Sequence, residues 1–484
     1  MTVSHKDAQH GGAQPNGAQA DHASALMISV SGIRGVVGQA LSPGNALDFV
    51  QAYAAWLKNK GIEQPRVLVA RDTRPSGQMM LHAVLAGLIG SGCKIIDLGI
   101  VATPTLQLAI PHLKADGAIC ITASHNPIEW NALKFFQPSG MYLDKEMGGE
   151  VIRLYHAKEF VCGSWDQMGT VEYDDTATQL HVNRVLEIVD ADLIRSKKYK
   201  VVLDGCCGAG NVVSPILLRQ LGCELIHINS DLSGIFPHNP EPLNENMVQL
   251  CDAVRQHGAD IGFAHDADAD RVAIVTDAAQ PIGEDYSLVW AVAHVLKNRR
   301  QGPVVTNLST SLAVESVARE HGCELIRTPV GDINVSGTMR QVDAAIGGEG
   351  NGGVIIPDIQ YGRDGIAAIA LTLEFLAKSE MRASEIAASL PHPVILKTTL
   401  DFPKERMGAL LSWLKSKEKT ARIDERDGLR FDWPRDGVTT SWAHVRPSGT
   451  EPFVRLICEA QTAAEAQRIQ KTMRAEIESI AGAW

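Results

Sequence analysis

One pattern occurs three times in this chain and restricts its fold more than any other feature. RVLVARDTRPSG, a helix-like stretch and GSGCKIIDLG span residues 66–99. KVVLDGCCGAG, a helix-like stretch and QLGCELIHIN span residues 200–229. PVVTNLSTS, a helix-like stretch and EHGCELIRTPVG span residues 303–331. Each reads as a β-branched strand, a turn of Gly, Ser, Asp or Asn, an amphipathic helix, a Gly corner and a second strand. That order is a βαβ unit, in which the two strands lie parallel in a buried sheet. The copies differ in length, which excludes a solenoid and predicts three related α/β domains in series. Cys93, Cys223 and Cys323 each follow the corner Gly, where a small buried packing residue is expected.

Past about residue 395 the texture changes. HPVILKTTLDFP, RIDERDGLRFDWP and SWAHVRPSGTEPFVRLICEA precede a final helical stretch over 462–480, which predicts a smaller α+β domain. The expected division is 25–190, 191–297, 298–394 and 395–484, with residues 1–24 a polar, disordered tail that has no apolar signal-peptide core. A chain of 484 residues has room for this many domains. Its 45% hydrophobic and 21% charged residues are ordinary for a soluble protein and exclude a fibrous or wholly disordered one. The 45 Lys and Arg stand against 56 Asp and Glu, and a net charge of −11 argues against nucleic acid as a partner. No apolar run approaches the ~20 residues of a membrane span. Nine scattered cysteines do not suggest a disulfide framework, and Cys206-Cys207 is not a zinc motif, so a cytoplasmic protein is expected.

Four loops could carry chemistry. In ITASHNPIEWNALKFF (121–136), a short apolar strand is broken at Asn126-Pro127, which leaves Ser124 on a sharp turn at the strand's C-terminal end. Ser124 there is a candidate nucleophile or phosphate carrier, with His125 and Lys134 as proton-transfer groups or phosphate clamps; a capping serine in a polar turn is the plainer reading. In IGFAHDADADRVAIVTD (261–277), Asp266, Asp268 and Asp270 alternate between two apolar strands. On a straight strand such side chains lie about 6.6 Å apart, but the Ala spacers let the loop curl. Three converging carboxylates repel unless a cation neutralises them, and hard oxygen ligands select Mg²⁺ or Ca²⁺. Arg271 is set to pair with a carboxylate or a phosphate. GGEGNGGV (347–354) offers Glu349 and Asn351 to sugar hydroxyls, although a Gly-rich hairpin fits the same residues. HVRPSGTEPFVRL (444–456) reads as an anion cradle of Arg446, Ser448, Gly449 and Thr450, with Arg455 on the following strand. SVSGIRGVVG (29–38) adds Arg34, as a phosphate contact or as part of a turn.

The set T-A-S-H-N-P (122–127), D-x-D-x-D-R (266–271) and R-P-S-G-T-E-P (446–452), in this order, resembles the α-D-phosphohexomutase family of phosphoglucomutases, phosphomannomutases and phosphoglucosamine mutases. The likeness runs from about residue 27 to 480. It implies an α/β fold of four domains around a central cleft: three related α/β domains with mixed sheets and a smaller C-terminal α+β domain. It implies that Ser124 is phosphorylated in the resting enzyme and that Ser124, Asp266, Asp268 and Asp270 hold Mg²⁺. Lys134 would take part in proton transfer, and Arg34 would stand near the phosphoserine. Glu349 would bind sugar hydroxyls, and Arg446, Ser448, Gly449 and Thr450 the phosphate that is not transferred. The implied reaction interconverts hexose 1-phosphate and hexose 6-phosphate through a hexose 1,6-bisphosphate, in a monomer or homodimer.

The chain departs from the family pattern in three places. The sugar loop of many relatives reads G-E-x-S-G-H, whereas here Asn351 replaces the Ser and Gly353 replaces the His. Asp332 stands where many relatives carry another His, and the first loop reads S-G-I-R-G. A metal-dependent sugar-phosphate phosphatase would use the same serine and acid cluster, but would not need the second phosphate cradle. A non-catalytic sugar-phosphate binder is a third reading, opposed by the intact Ser124 and acid loop.

Overall fold

The structure is a computed structural model of the chain and describes residues 25–160, 162–448 and 452–482. The segment 1–24, expected to be a disordered tail, lies outside them, as do Gly449 and Thr450 of the expected anion cradle. The first sheet has seven strands: β1 (Met27–Ser29), β2 (Gly32–Val36), β3 (Arg66–Arg71), β4 (Lys94–Ile100), β5 (Gly117–Ile121), β6 (Trp130–Phe136) and β7 (Thr170–Tyr173). Their spatial order is β1-β2-β6-β5-β3-β4-β7. Val67, Leu68, Val69 and Ala70 of β3 are all buried, as expected of a parallel strand covered on both faces.

The second sheet holds β8 (Lys200–Asp204), β9 (Glu224–Ile228), β10 (Ile261–His265) and β11 (Val272–Thr276), in the order β11-β10-β8-β9. The third holds β12 (Val304–Asn307), β13 (Leu325–Thr328), β14 (Ile346–Glu349) and β15 (Gly353–Ile355), in the order β13-β12-β14-β15. Both repeat the β6-β5-β3-β4 portion of the first. In each, the first strand pairs parallel with the second and third, and the third pairs antiparallel with the fourth. The repeated unit is therefore larger than the βαβ pattern visible in the sequence, and its sheets are mixed.

Local chemistry explains the repetition. The side chains of Asp72, Asp204 and Asn307 each accept the backbone N–H two residues on, from Arg74, Cys206 and Ser309, and so turn the chain out of the first strand the same way. At the far end, Gly92, Gly222 and Gly322 adopt φ of +74°, +74° and +67°, a left-handed conformation that favours glycine. The corner cysteines diverge from the expected burial. Cys93 is buried, but Cys223 and Cys323 are only partly so, because β9 and β13 are sheet edges while β4 is covered by β7.

The fourth sheet is antiparallel, in the order β16-β20-β19-β18-β17, and comprises β16 (Val394–Asp401), β17 (Arg422–Asp424), β18 (Leu429–Arg435), β19 (Val438–Pro447) and β20 (Phe453–Ala460). The helices Met407–Lys417 and Ala463–Gly482 share a core with it, built on Phe402, Leu410, Phe431, Val445, Leu456 and Ile477. On one face the second and third sheets share a core, while the opposite face of each has a smaller cluster of its own. Val201, Phe263 and Val272 belong to one apolar body with Leu288, Trp290, Ile346, Ile369 and Leu373. The helix Tyr286–Asn298, which a boundary at 298 assigns to the second domain, packs on the helices Leu312–Glu320 and Gly365–Ser379 and on β14 as well as on β11. Among the described residues, no helix is long and apolar enough to cross a membrane.

Candidate active site

The repeated unit places three loops at equivalent points. Ser124 lies between β5 and β6, the three aspartates between β10 and β11, and Gly350–Gly352 between β14 and β15. Each is the turn from the last parallel strand into its antiparallel neighbour.

Ser124 is 6% exposed and adopts φ +50°, unusual for a residue with a side chain. Its N–H donates to Thr122 Oγ1 at 3.0 Å. Arg74, fully buried, commits all five of its N–H donors around this loop. Nε donates to Asp72 at 3.0 Å, Nη1 to the carbonyls of Pro127 and Trp130, and Nη2 to the carbonyls of Ser124 and Asn126 at 2.7 and 2.6 Å. A planar fork with all its donors satisfied holds the strained turn open. Ser124 Oγ then donates to Asp266 Oδ2 at 2.6 Å and lies 3.3 Å from His125 Nδ1. Burial, reinforced by Arg271, Arg34 and Arg363, keeps the His125 imidazole well below its usual pKa and hence neutral. Arg34 reaches the same loop through Asn126 Oδ1 at 3.1 Å.

The acid loop curls through Ala269 at φ +56°, and Asp266, Asp268 and Asp270 bring one oxygen each within 4.8 Å of one another. One oxygen of every carboxylate is committed: Asp266 Oδ2 to Ser124, Asp268 Oδ2 to Lys134 Nζ and Thr103 Oγ1 at 2.8 and 2.7 Å, and Asp270 Oδ2 to Arg363 Nη2 at 2.5 Å. Asp268 Oδ1 and Asp270 Oδ1 are buried with no hydrogen-bond partner. Orphaned carboxylate oxygens of this kind fit a hard divalent cation. Burial and the neighbouring Asp268 and Asp270 push the Asp266 carboxyl well up. Burial acts the same way on Asp268, but Lys134 outweighs it and holds that carboxyl below the usual range. Lys134 is held as an ammonium because Asp268 outweighs its own burial.

The third loop is a hairpin. Glu349 is fully engaged: Oε1 accepts from Asn307 Nδ2 and the Gly331 N–H at 2.8 and 3.0 Å, and Oε2 from Arg363 Nη1 at 2.9 Å. The Asn351 side-chain carbonyl accepts the Gly353 N–H at 3.2 Å, so that oxygen shapes the turn. Asp332 lies 3.8 Å from Arg363 Nε. Arg34, Ser124, His125, Lys134, Arg271 and Arg363 face one cavity of about 260 Å³.

A second cavity of about 130 Å³ joins this hairpin to the fourth domain; Asn351, Lys397, Arg446 and Arg455 line it. Arg446 and Arg455 are directly opposed across β19 and β20, which puts both side chains on one face. Arg446 Nε donates to Asp427 at 2.8 and 3.0 Å, and Asp427 Oδ2 also accepts the Val330 N–H of the third domain at 3.0 Å. His444 is buried at the same seam, with Nδ1 2.9 Å from Ser309 Oγ and Nε2 donating to the Asp427 carbonyl at 2.6 Å. Ser448 follows the end of β19, two residues after Arg446, and its N–H donates to the Phe453 carbonyl at 2.9 Å.

The expected residues thus fall into two groups. Ser124, His125, Lys134, Arg34 and Arg271 line the first cavity, the three aspartates bond to its Ser124, Lys134 and Arg363, and Glu349 reaches it through Arg363. Asn351, Arg446 and Arg455 meet at the second. Arg74, Arg363 and Lys397 escaped the sequence reading. RDTRPSG stood out only as polar turn residues, Arg363 has a Gly before it and a buried helix after it, and nothing distinguishes Lys397 from other strand lysines. Two cationic cavities near one serine and an acid cluster can hold two anionic groups at once, one of them beside the serine hydroxyl.

Models of the phosphoglucomutase/phosphomannomutase α/β/α domains I, II and III match residues 26–161, 179–279 and 284–394, and that of the C-terminal domain matches 393–476. The chain is 37% identical to a phosphoglucomutase/phosphomannomutase of Thermococcus kodakarensis over 443 residues, covering 91% of this chain and 96% of the relative. It is 35% identical to a probable phosphoglucosamine mutase of Methanopyrus kandleri over 446 residues, covering 92% and 96%. A crystal structure of a phosphoglucomutase/phosphomannomutase family protein from Burkholderia thailandensis superposes with a TM-score of 0.80 at 28% identity, covering 94% of this chain and 99% of that one.

Proposed function

The chain belongs to the phosphoglucomutase/phosphomannomutase family, and we propose that it is a Mg²⁺-dependent mutase that moves a phosphoryl group between O1 and O6 of an aldohexose through a phosphoserine at Ser124. The substrate is a phosphate of glucose, mannose or glucosamine. The observation that carries this reading is the 2.6 Å contact from Ser124 Oγ to Asp266, beside two buried carboxylate oxygens that lack partners.

Phosphoryl transfer asks a protein for positioning and charge neutralisation more than for covalent chemistry. Asp266, Asp268 and Asp270 would hold Mg²⁺, which would supply positive charge beside the transferred phosphoryl group. Arg34, Lys134 and Arg271 add fixed positive charge around the same group. The free hydroxyl of the sugar phosphate attacks the phosphorus of phosphoserine 124. The bond from phosphorus to Ser124 Oγ breaks, and a 1,6-bisphosphate forms. The hydroxyl gives up its proton as it attacks and the departing Ser124 oxygen takes one up, so the step is proton-neutral; Lys134 and His125, which line the cavity with Ser124, are the groups placed to pass that proton. The bisphosphate then turns around and returns its other phosphoryl group to Ser124. Throughout, Arg446, Arg455, Ser448 and Lys397 grip whichever phosphate is not reacting, so that binding remote from the chemistry orients the reacting hydroxyl.

The test is phosphorus NMR of the protein with Mg²⁺, a trace of 1,6-bisphosphosugar and, in parallel, glucose 1-phosphate, mannose 1-phosphate and glucosamine 1-phosphate. Appearance of a 6-phosphate that is lost in Ser124→Ala supports the mutase and ranks its sugars. Free phosphate as the sole product would reject it in favour of a phosphatase.

A further inference from the structure

Gly353 has no side chain, and it could not carry one as the site stands. A Cβ built there meets Arg363 Cδ at 2.3 Å, Arg363 Cγ at 3.1 Å and Asn351 Oδ1 at 3.1 Å. The space in front of Gly353 is therefore filled by the aliphatic stem of Arg363, ten positions further along the chain. The stem cannot withdraw easily. Asp364 accepts the N–H groups of Ile366 and Ala367 at 3.0 and 2.9 Å and pairs with His181 at 2.9 Å, which anchors the next residue at the start of a buried helix. On the other side, Gly362 abuts the Gln107 side chain.

The head of that side chain is equally constrained. Its two Nη atoms go to Glu349 at 2.9 Å and to Asp270 at 2.5 Å, and Nε faces Asp332 at 3.8 Å. Only 11% of the side chain is exposed. One guanidinium thus joins a carboxylate of the hairpin to a carboxylate of the acid loop. Without it, Glu349 and Asp332 would lose the guanidinium that each faces, a costly change for buried charge.

We infer that Gly353 and Arg363 form one unit, in which position 363 supplies from the loop before the helix Gly365–Ser379 the polar side chain for which position 353 has no room, and that this side chain positions Glu349 against the acid loop. The unit resolves the departure seen at position 353, where many relatives carry histidine. A guanidinium in that space stays charged at any working pH, so it fixes geometry and donates hydrogen bonds but does not relay protons. Its effect on sugar handling rests on the proposed mutase reading; its packing does not.

A double-mutant cycle separates the two, read both as thermal midpoint and as kcat/KM in the presence of Mg²⁺. With Arg363 in place, Gly353→Ala should lower the midpoint and cut kcat/KM by about tenfold, whereas in the Arg363→Ala background the same change should cost less than about twofold, the signature of two positions sharing one volume. Adding Gly353→His to Arg363→Ala should restore part of the kcat/KM that Arg363→Ala loses, since an imidazole can reach the hairpin from the other side of the same space. Tolerance of Gly353→Ala with Arg363 present, or an equal cost in both backgrounds, overturns the unit. A further loss with the histidine overturns its positioning role. Absence of isomerisation by the unmodified protein would sink the mutase reading, while the midpoint cycle would still decide the pair.

Discussion

Ser124 Oγ and Asp266 Oδ2 are 2.6 Å apart, although 142 residues separate them in sequence. The contact crosses from the first sheet to the second and joins the proposed nucleophile of one loop to the acid cluster of another. Replacing Ser124 with Ala removes the oxygen proposed to carry the phosphoryl group. Mutase activity should fall by about a thousandfold or more, as expected when a covalent nucleophile is lost. Intact-protein mass spectrometry should find a phosphate on the unmodified chain and none on the variant; phosphate retained on Ser124→Ala would contradict the assignment.

The acid loop predicts a metal-dependent stability. Three buried carboxylates with two orphaned oxygens should bind Mg²⁺ in the folded state only. Mg²⁺ at a hundred times its dissociation constant should add about 2.7 kcal/mol, visible as a higher thermal midpoint than in EDTA. Asp270→Asn should flatten that response, and identical midpoints with and without Mg²⁺ in the unmodified chain would refute the site.

Arg74 touches no part of the proposed substrate, yet it holds the Ser124 loop through four backbone carbonyls. Arg74→Lys keeps the charge but loses the fork. A displacement of about 1 Å at the nucleophile can cost about a hundredfold, so kcat should drop by that order with KM changing far less. A fall confined to KM would assign Arg74 to substrate binding instead.

Arg446 separates a mutase from a phosphatase. Removing a charged hydrogen-bonding group is worth about 1.5–3 kcal/mol, so Arg446→Ala should lower kcat/KM for the sugar phosphate by about ten- to a hundredfold. Turnover of a small aryl phosphate, which carries no second anchor, should not follow. Equal losses on both substrates would remove the case for a separate phosphate cradle.

His444 makes the seam between the third and fourth domains sensitive to acid. Burial holds its pKa down at about 4, against about 6.5 in an unfolded chain. Between those values the unfolded chain takes up a proton that the folded one refuses. Its contribution is therefore complete above about pH 6.5 and is lost as the pH falls toward 4. The loss amounts to roughly 3 kcal/mol at its fullest. Denaturant unfolding at pH 7 and pH 5 should show a smaller decline for His444→Gln than for the unmodified chain. Parallel declines would show that His444 does not control the acid response.

The three functional loops were legible in the sequence because their chemistry demands unusual residues: a serine before His-Asn-Pro, three aspartates spaced by alanine, a glycine-rich turn around Glu349. The equivalence of those loops was not. β6, β11 and β15 run antiparallel to their neighbours, but hydrophobic runs report burial and carry no sign of direction. Arg74 and Arg363 were missed for a different reason. Each gains its meaning from partners far along the chain, and in each case those partners are backbone carbonyls or carboxylates that have other reasons to be there. The corner cysteines looked alike in sequence and differ in the fold, since only β4 has a further strand beside it.

The continuous apolar body under the second and third sheets has a mechanical consequence. Loops mounted on it share one foundation, so the acid loop and the Glu349 hairpin move as a block. The fourth domain stands on its own core and meets the third through polar contacts at Ser309, Val330 and Leu312. Polar seams exchange their partners for water at little cost, whereas an apolar body cannot be split without exposing its interior. Under load or heat the molecule should part first at that seam, which makes the proposed far phosphate grip the adjustable jaw of a vice whose other jaw is fixed.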